Sequence, residues 1–454
     1  SPADEVAYIL NDCRAEVIFC SEETVDIFKE AQKTIEYDVE LLVLEDIQSA
    51  ASEIEASDLE ISDPEKTAVI IYTSGTTGSP KGVMLSYDNL MANIEAVSDH
   101  IPIYTPDRNV LALLPFHHIF PLLGTLVAPV YVGATIAFSP TMKSEDIIST
   151  LQDNKIAIII GVPRLYAAIR KGIMNKVNAH FATRAIFNLA KTINSRALSK
   201  TLFKKVHQRF GGNVQFMVCG GAKLDEDVAR DYKTLGFEML EGFGMTEAAP
   251  MITFTRPGKW KIGSAGQSMP NLEVAIKDGQ IVAKGRNIMQ GYFNRPEETA
   301  DVLKDGWLHT GDLGHLDKNG FLHITGRSKE IIVLGSGKNI NPEEIEKKLA
   351  DNSDLIAEVG VFMRNDSLQA AIFPDFVRIR DKGIQNLEEV VRWDIIDAYN
   401  KKAAHYKKIS QFILLKEELP KTRLGKTQRF KLAELAEQSN KNAKEKGDEP
   451  QFEE

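Results

Sequence analysis

The chain has 454 residues, of which 43% are hydrophobic and 26% charged, with a net charge of −10 and a pI near 5.6. That length exceeds one ordinary domain, the composition excludes wholesale disorder, and the acidic balance argues against a broad nucleic-acid-binding face. Three cysteines, Cys13, Cys20 and Cys219, make no CxxC pair and no Cys/His cluster, so a disulfide scaffold and a zinc module are excluded and a reduced, cytoplasmic setting is expected.

The chain opens on SPADEVAYILND, which is acidic and unlike a signal peptide. VAYIL, AEVIFC, TAVIIYT, VLALLP, ATIAF and IAIIIG read as buried strands, with the helical pattern DNLMANIEAV among them. This alternation predicts an α/β fold with a mostly parallel sheet and helices packed on it. Residues 110–142 carry no Asp, Glu, Lys or Arg, a length that would span a bilayer. Pro115, Pro121, Pro129 and Pro140 would interrupt such a helix repeatedly, so the segment is read as strand, turn, short helix and strand in a core. At most peripheral membrane contact is expected. Residues 225–235 predict a helix: an acidic start, apolar Val228, Ala229 and Tyr232, and Gly236 as the stop.

The pattern changes after about residue 260. EVAIKDGQIVAKG and HLDKNGFLHITG predict hairpins turning at Asp278–Gly279 and Asn319–Gly320. From Lys329 a strand EIIVLG, helix NPEEIEKKLADN, strands EVGVFM and QAAIF, helix LEEVVRWDIIDAYNKKA and strand QFILL predict a compact α+β unit. In NPEEIE, Asn341 is expected to cap, Pro342 to take the first helical position and Glu344 to close a capping box. Residues 437–454 hold one large hydrophobe, Phe452, and are expected to be a solvated tail.

The most informative stretch is YTSGTTGSPKG, residues 72–82. Against a Walker A loop started at Gly75, Pro80 and Gly82 occupy positions that require Gly and Ser/Thr, so that motif fails. The physics is nonetheless that of a phosphate cradle. Glycines let backbone N–H groups converge on an anion, Ser74, Thr76 and Thr77 add hydroxyl donors, and Lys81 adds charge. A plain turn needs none of these.

YTSGTTGSPKGVMLS resembles the phosphate-binding signature of the adenylate-forming superfamily, which includes acyl-CoA synthetases, luciferases and nonribosomal-peptide adenylation domains. Four further motifs follow in that superfamily's order: GGAKL (220–224), EGFGMTE (241–247), GWLHTGDLGHLDKNGFLHITGR (306–327) and LPKTRLGKTQR (419–429). The resemblance implies a nucleotide site built from Thr73, Ser74, Gly75, Thr76, Thr77, Gly78 and Lys81 around the leaving pyrophosphate. Gly220, Gly221, Ala222, Glu241, Gly242 and Phe243 would lie around adenine. Thr246 would contact the α-phosphate, Glu247 would hold Mg²⁺, Asp312 would take the ribose hydroxyls, and Arg327 would contact ribose or phosphate. Lys426 is implied as the catalytic lysine, with Lys421 its uninvolved neighbour, and Lys329 as the hinge residue. Gly335, Ser336 and Gly337 would face the channel of the thiol. Read alone, Glu247 is a surface or capping carboxylate, Asp312 a turn residue and Lys329 an exposed lysine.

In LPFHHIFPLLG (114–124) the resemblance points to an acyl site in which His118 approaches the substrate carboxylate; a buried structural histidine is the alternative. No acidic residue lies in 110–142 to bind a substrate ammonium, which disfavours amino acids. GRSKEIIVLGSGKNINPEEIE resembles long-chain fatty acid-CoA ligases. The resemblance therefore implies ATP-dependent conversion of a medium- to long-chain fatty acid to acyl-AMP, then transfer to coenzyme A, with Mg²⁺ as cofactor. The alternatives are an acyl-AMP ligase that loads a carrier protein and a nucleotide- or acyl-binding module without turnover.

The implied architecture is a large domain over 1–328, with helix-flanked sheets and a β-rich subdomain, then a small mobile α+β domain over 329–436 and the tail 437–454. Relatives carry a further α/β block before the segment matching SPADEVAYILND, so the large domain is expected to be N-terminally incomplete. No nucleic-acid partner is expected.

Overall fold

The computed structural model describes residues 2–50, 63–74, 80–334, 338–365, 367–421, 427–429 and 431–437. The chain forms two compact units, one of residues 1–275, 282–310 and 318–322, the other of 276–281, 311–317 and 323 onward. It crosses between them within the strands Leu272–Lys277, Gln280–Gly285 and Trp307–Leu316 and at the start of Leu322–Arg327. Asp278 and Gly279 both adopt positive φ at the first hairpin turn, as an Asp-Gly turn requires.

The first unit is built on a seven-stranded sheet. In spatial order its strands are Gln267–Ser268, Met251–Phe254, Met239–Gly244, Phe216–Cys219, Ile156–Gly161, Asn109–Ala112 and Ile136–Phe138. The last five run parallel, and Met251–Phe254 pairs antiparallel with both its neighbours. Every residue of Ile156–Gly161 is buried, as a central strand covered on both faces requires. Ile159, Met217 and Met239 face one helical layer, with Tyr166, Phe187 and Tyr232. Ile158, Ile160, Val218 and Leu240 face the other, with Tyr104 and Phe254. Period-two alternation thus sorts one set of strands into two cores. The helix expected at 225–235 spans Glu226–Thr234; Asp225 accepts from the amides of Asp227 and Val228, and Gly236 stops it at φ +87°.

One strand reading is overturned, and one strand lies in a different sheet from the one expected. VAYIL lies in the helix Ala3–Cys13, where Asp4 and Glu5 occupy the first turn and Ala7 and Leu10 are buried at helical spacing. Only Val17–Cys20 of the neighbouring run is a strand, paired in parallel with Glu40–Val43. TAVIIYT does not join the parallel sheet. It forms Thr67–Ser74, antiparallel to Pro80–Ser86, in a three-stranded sheet completed by Gly291–Tyr292.

Within 110–142, the strands Asn109–Ala112 and Ile136–Phe138 bracket helical turns from Ile119 to Val132, widened to π-type at Leu122–Val127. Gly133 ends them at φ +74°. Among the described residues no helix is long and apolar enough to cross a membrane.

The second unit packs the helix Pro342–Asn352 and helical turns over 387–400 on a sheet of Ile356–Arg364, Ser367–Pro374 and Gln411–Leu414. Its core includes Ile345, Leu349, Val361, Ile372, Ile395 and Tyr399. Asn341 caps the first helix through the Glu343 amide and Pro342 takes the first helical position. The expected capping box does not form. The Glu344 carboxylate instead meets Lys348 and Lys407 at 2.6 and 2.8 Å, because two ammonium groups outcompete one backbone amide.

Tyr166 ties this architecture together. Its buried hydroxyl lies 2.9 Å from the carbonyl oxygens of Ile159 and Val218 on adjacent strands, and its own carbonyl accepts from Tyr232 at 2.8 Å. Tyr166→Phe leaves those strand carbonyls without that donor and is expected to destabilise the first unit by about 1–2 kcal/mol, read from the urea midpoint.

Candidate active site

In an open parallel sheet, ligands bind beyond the carboxyl ends of the strands. Two of the sequence motifs sit there. Phe216–Cys219 runs into Gly220, Gly221 and Ala222, where Gly221 turns at φ +83°. A Cβ on Gly220 would stand 3.0 Å from the Phe120 ring, so any other residue would press on that ring. The neighbouring strand Met239–Gly244 carries Glu241, Gly242 and Phe243 and passes through Met245 into a 3-10 turn, Thr246–Ala248. Phe243 is only 8% exposed. Thr246 is half-buried. Asn93 and Asn287 brace the turn by donating to the Ala248 carbonyl at 3.1 and 2.8 Å, and the Met289 amide donates to that of Glu247 at 2.9 Å.

Glu247 is 9% exposed and accepts a hydrogen bond from the Tyr292 hydroxyl at 2.7 Å. Burial, and then the charge of Glu247, hold the Tyr292 phenol well above its ordinary range, so it remains the donor. Lys81 lies with its ammonium 5.3 Å from the centre of the same ring and pairs with Glu298. The base of the hydroxyl-rich loop is therefore tied to the Glu247 turn through Tyr292. It is also tied to the N-terminal helix, whose Tyr8 donates to the Pro80 carbonyl at 3.0 Å and whose Asp12 accepts from Tyr72 at 2.6 Å. Arg295 joins them, 3.0 Å from Asp12. Thr73 and the backbone of Ser74 end the first strand of this hairpin.

Glu241 is a second buried carboxyl. Burial pushes it up from 4.5 to about 7, opposed by the Trp260 indole, which donates at 3.0 Å. His118 is half-buried at the start of the helical turns beginning at Ile119, its ring 4.1 Å from that of His117. Next to it, Phe120, Leu123, Gly124, Tyr104, Pro250 and Met251 help to enclose a small, almost wholly apolar cavity. The Tyr104 hydroxyl is turned away onto the Gly124 carbonyl at 2.8 Å.

In the second unit, Asp312 is buried and meets Arg327 at 3.0 Å. Lys421 pairs with Glu358 and, at 3.5 Å, with Glu418, a structural engagement that suits its reading as a bystander. Lys329 lies in the 3-10 turn Ser328–Glu330. Gly75, Thr76, Thr77, Gly78, Gly335, Ser336, Gly337, Lys426 and the tail beyond Glu437 lie outside the described residues.

Tyr292, Glu298, Trp260, Asn93 and Asn287 were not singled out by sequence reasoning. Each reaches its partner across 19 or more residues by tertiary packing, and no local motif signals that. No group of three or more His, Cys, Asp or Glu among the described residues makes a metal cage. One buried carboxylate, linked through Tyr292 to Lys81 at the base of the hairpin, suits Mg²⁺, which takes one or two protein oxygens and fills its shell with water and substrate phosphate.

Glycine-turned strand ends and a buried carboxylate beyond the carboxyl edge of a parallel sheet define an open-sheet α/β protein. Residues 1–293 match the family described as AMP-binding enzyme, and residues 329–439 match the AMP-binding enzyme C-terminal domain. The chain belongs to the AMP-binding enzyme family, in the adenylate-forming superfamily.

It is 30% identical over 388 residues to a long-chain-fatty-acid–CoA ligase of Bacillus subtilis, a match covering 82% of this chain and 62% of that protein. It is 34% identical over 337 residues to long-chain-fatty-acid–CoA ligase 1 of Homo sapiens, covering 68% and 47%. The chain thus spans less than two thirds of the length of these relatives. Its fold matches ATP-bound MatB from Rhodopseudomonas palustris with a TM-score of 0.77 at 25% identity, over 96% of this chain and 82% of that one. It also matches the AMP complex of O-succinylbenzoate coenzyme A synthetase from Bacillus subtilis with a TM-score of 0.73 at 24% identity, over 95% and 80%.

The Glu241 carboxyl gives this site a pH signature. Between about 4.5 and 7 the folded chain holds a proton that the unfolded chain has released. Stability of the first unit is therefore expected to fall as pH rises through that window, by at most about 3 kcal/mol. Urea midpoints measured from pH 5 to pH 8 should show this slope in the unaltered chain and a flatter one in Glu241→Gln.

Proposed function

We propose that the chain activates a fatty acid with ATP, forming acyl-AMP and pyrophosphate, and then passes the acyl group to the thiol of coenzyme A, releasing AMP. The observation that carries this reading is the shared wall of two sites. The apolar cavity is bounded by Pro250 and Met251, just past the Glu247 turn, and by Phe120, two residues past His118. The apolar lining of this small cavity suits an alkyl chain whose carboxylate lies toward His118 once the cavity widens to admit it, and its lack of acidic lining does not suit an ammonium. The fatty-acid ligases among its relatives support the same substrate class.

A carboxylate is a poor electrophile because its leaving group would be oxide. Attack of one carboxylate oxygen on the ATP α-phosphorus breaks the bond to the bridging oxygen and expels pyrophosphate. The acyl carbon then carries AMP, a competent leaving group. In the second step the thiol sulfur attacks that carbon, and the bond to the AMP oxygen breaks.

Catalysis here is mainly positioning and charge stabilisation. Residues 73–78 and Lys81 would hold the leaving phosphates. In the described state Lys81 is paired with Glu298, so phosphate would replace that carboxylate as its partner. Gly220, Gly221, Ala222, Glu241, Gly242 and Phe243 would line the adenine side. Thr246 would meet the α-phosphate, and Tyr292 would orient the Glu247 carboxylate. Bound through Glu247, Mg²⁺ would supply charge neutralisation on the phosphate oxygens. Asp312 would accept from the ribose hydroxyls and Arg327 would meet ribose or phosphate. Lys426 would stabilise the α-phosphate in the first step. Lys329 would act as the hinge of a domain beginning there, and 335–337 would border the coenzyme A channel. A cytoplasmic setting and at most peripheral membrane contact complete this reading.

The deciding experiment follows AMP, pyrophosphate and acyl-CoA formation with Mg-ATP and a ladder of fatty acids. Acid-dependent AMP together with acyl-CoA supports the ligase. Pyrophosphate and bound acyl-AMP without transfer to coenzyme A indicate a carrier-protein ligase, and ATP binding without turnover indicates a binding module. Lys426→Ala is expected to slow acyl-AMP formation by about 10²–10³-fold while sparing thioester formation from supplied acyl-AMP; equal loss in both half-reactions removes Lys426 from this role.

Gly124 tests the acyl site. A Cβ there would stand 2.7 Å from the end of Ile160 and 3.3 Å from the Tyr104 hydroxyl, narrowing the cavity. Gly124→Ala is expected to lower kcat/KM for the longest acids about tenfold and to leave the shortest unchanged, since each buried methylene contributes about 0.8 kcal/mol.

A further inference from the structure

The ion pair at Lys81 is one link in a longer row of alternating charges. Asp12, near the end of the helix Ala3–Cys13, has a side chain only 11% exposed. It accepts from the Tyr72 hydroxyl at 2.6 Å and meets Arg295 at 3.0 Å. The Arg295 guanidinium also donates to the Tyr8 hydroxyl at 3.2 Å, and its Nε lies 3.8 Å from Oε1 of Glu298. The other oxygen of Glu298, Oε2, faces the Lys81 ammonium. The row therefore runs negative, positive, negative, positive from Asp12 through Arg295 and Glu298 to Lys81. It joins the N-terminal helix, the start of the helix Pro296–Val302 and the strand Pro80–Ser86.

Glutamates in a first helical turn are ordinary, because they complement the helix dipole. Glu297 fits that explanation and is exposed. Glu298 goes further. Its Oε2 is sealed from water, so the Lys81 charge compensates its burial. A carboxylate with a cation on each oxygen can give up one and keep the other. A phosphate group reaching Lys81 carries more negative charge than one carboxylate and takes the ammonium from it. Glu298 then keeps Arg295, which Asp12 and Tyr8 hold in place. When the anion leaves, Glu298 is in place to pair with Lys81 again. An internal partner of this kind lowers affinity for the anion without altering any contact the anion makes, because the pair must first break.

We propose that Glu298 is a built-in competitor of the leaving pyrophosphate, reclaiming Lys81 as that product departs, and that Arg295 holds Glu298 aside while the product is bound. The inference rests on the reading of Lys81 as a pyrophosphate-holding lysine, and it adds the groups that set how tightly this product is held.

The test is calorimetric titration of the chain with magnesium pyrophosphate. Glu298→Gln keeps the shape and leaves a carbonyl oxygen for Lys81 but removes the charge, and is expected to tighten pyrophosphate binding about tenfold. A residue that only braced the fold would weaken binding or leave it unchanged, so the gain is the diagnostic readout. Glu297→Gln removes the same charge from the adjacent, exposed position and should leave affinity within about twofold. Arg295→Met takes the second partner from Glu298. It should weaken binding about fivefold in the otherwise unaltered chain but less than about twofold in Glu298→Gln, since both residues act on one event. Should Arg295→Met melt early, Asp12→Asn combined with Arg295→Met reads the same loss without stranding the Asp12 charge.

Unchanged or weaker binding in Glu298→Gln, or equal tightening in Glu297→Gln, overturns the proposal and leaves the adenylation reading standing. An equal loss from Arg295→Met in both backgrounds overturns the role of Arg295. Absence of pyrophosphate binding in the unaltered chain overturns the proposal and the reading of Lys81 together.

Discussion

A buried carboxylate must be hydrogen-bonded or neutral, and three buried carboxyl groups of this protein each answer that constraint within their own unit. Glu241, Glu247 and Asp312 are each less than a tenth exposed. Each has a dedicated donor: the Trp260 indole, the Tyr292 hydroxyl and the Arg327 guanidinium. The three donors differ in what they do to the acid. A neutral indole leaves burial dominant, so Glu241 rises to about 7. A guanidinium supplies full countercharge to Asp312. The phenol at Glu247 engages one carboxylate oxygen and adds no charge, which suits a group reserved for a cation.

The same economy extends to the hydroxyl-rich loop. Its flanking strands form an antiparallel pair, so both ends of the loop are held by one hairpin. Tyr8 and Asp12 on the N-terminal helix hold the base from one side, while Tyr292 and Glu298 hold Lys81 from the other. The Lys81–Glu298 pair also keeps a half-buried ammonium partnered when no phosphate is present.

The apolar cavity and the basic helices over 163–209 lie on opposite faces of the sheet in the first unit. The apolar cavity borders one core layer, with Tyr104 and Phe254. The basic helices pack on the other, through Phe187 and Phe203. A single set of strands with side chains alternating between two faces makes this division possible. Helices on one side shape an interior, and helices on the other are free to carry an exterior with its own charge and apolar pattern.

Much of this was legible in the sequence because it is local. Asp225 and Gly236 bound a helix whatever surrounds it, Asp278–Gly279 turns a hairpin through its own backbone preferences, and the glycine, threonine and acidic motifs stand in an order that identifies the family. VAYIL was misread because five apolar residues suit a strand as well as a helix; the acidic first turn and helical burial of Ala7 and Leu10 decided between them. Glu344 was misread because its competing ammonium groups include one 63 residues away.

The sequence alone thus determined the superfamily, the order of the motifs and most element types, since these rest on residue identity and short-range spacing. Tertiary structure alone decided which side chains meet: Tyr292 on Glu247, Glu298 on Lys81, Trp260 on Glu241, and Arg295 between Asp12 and Glu298. Contacts between remote segments depend on how whole layers pack, and no local pattern encodes them.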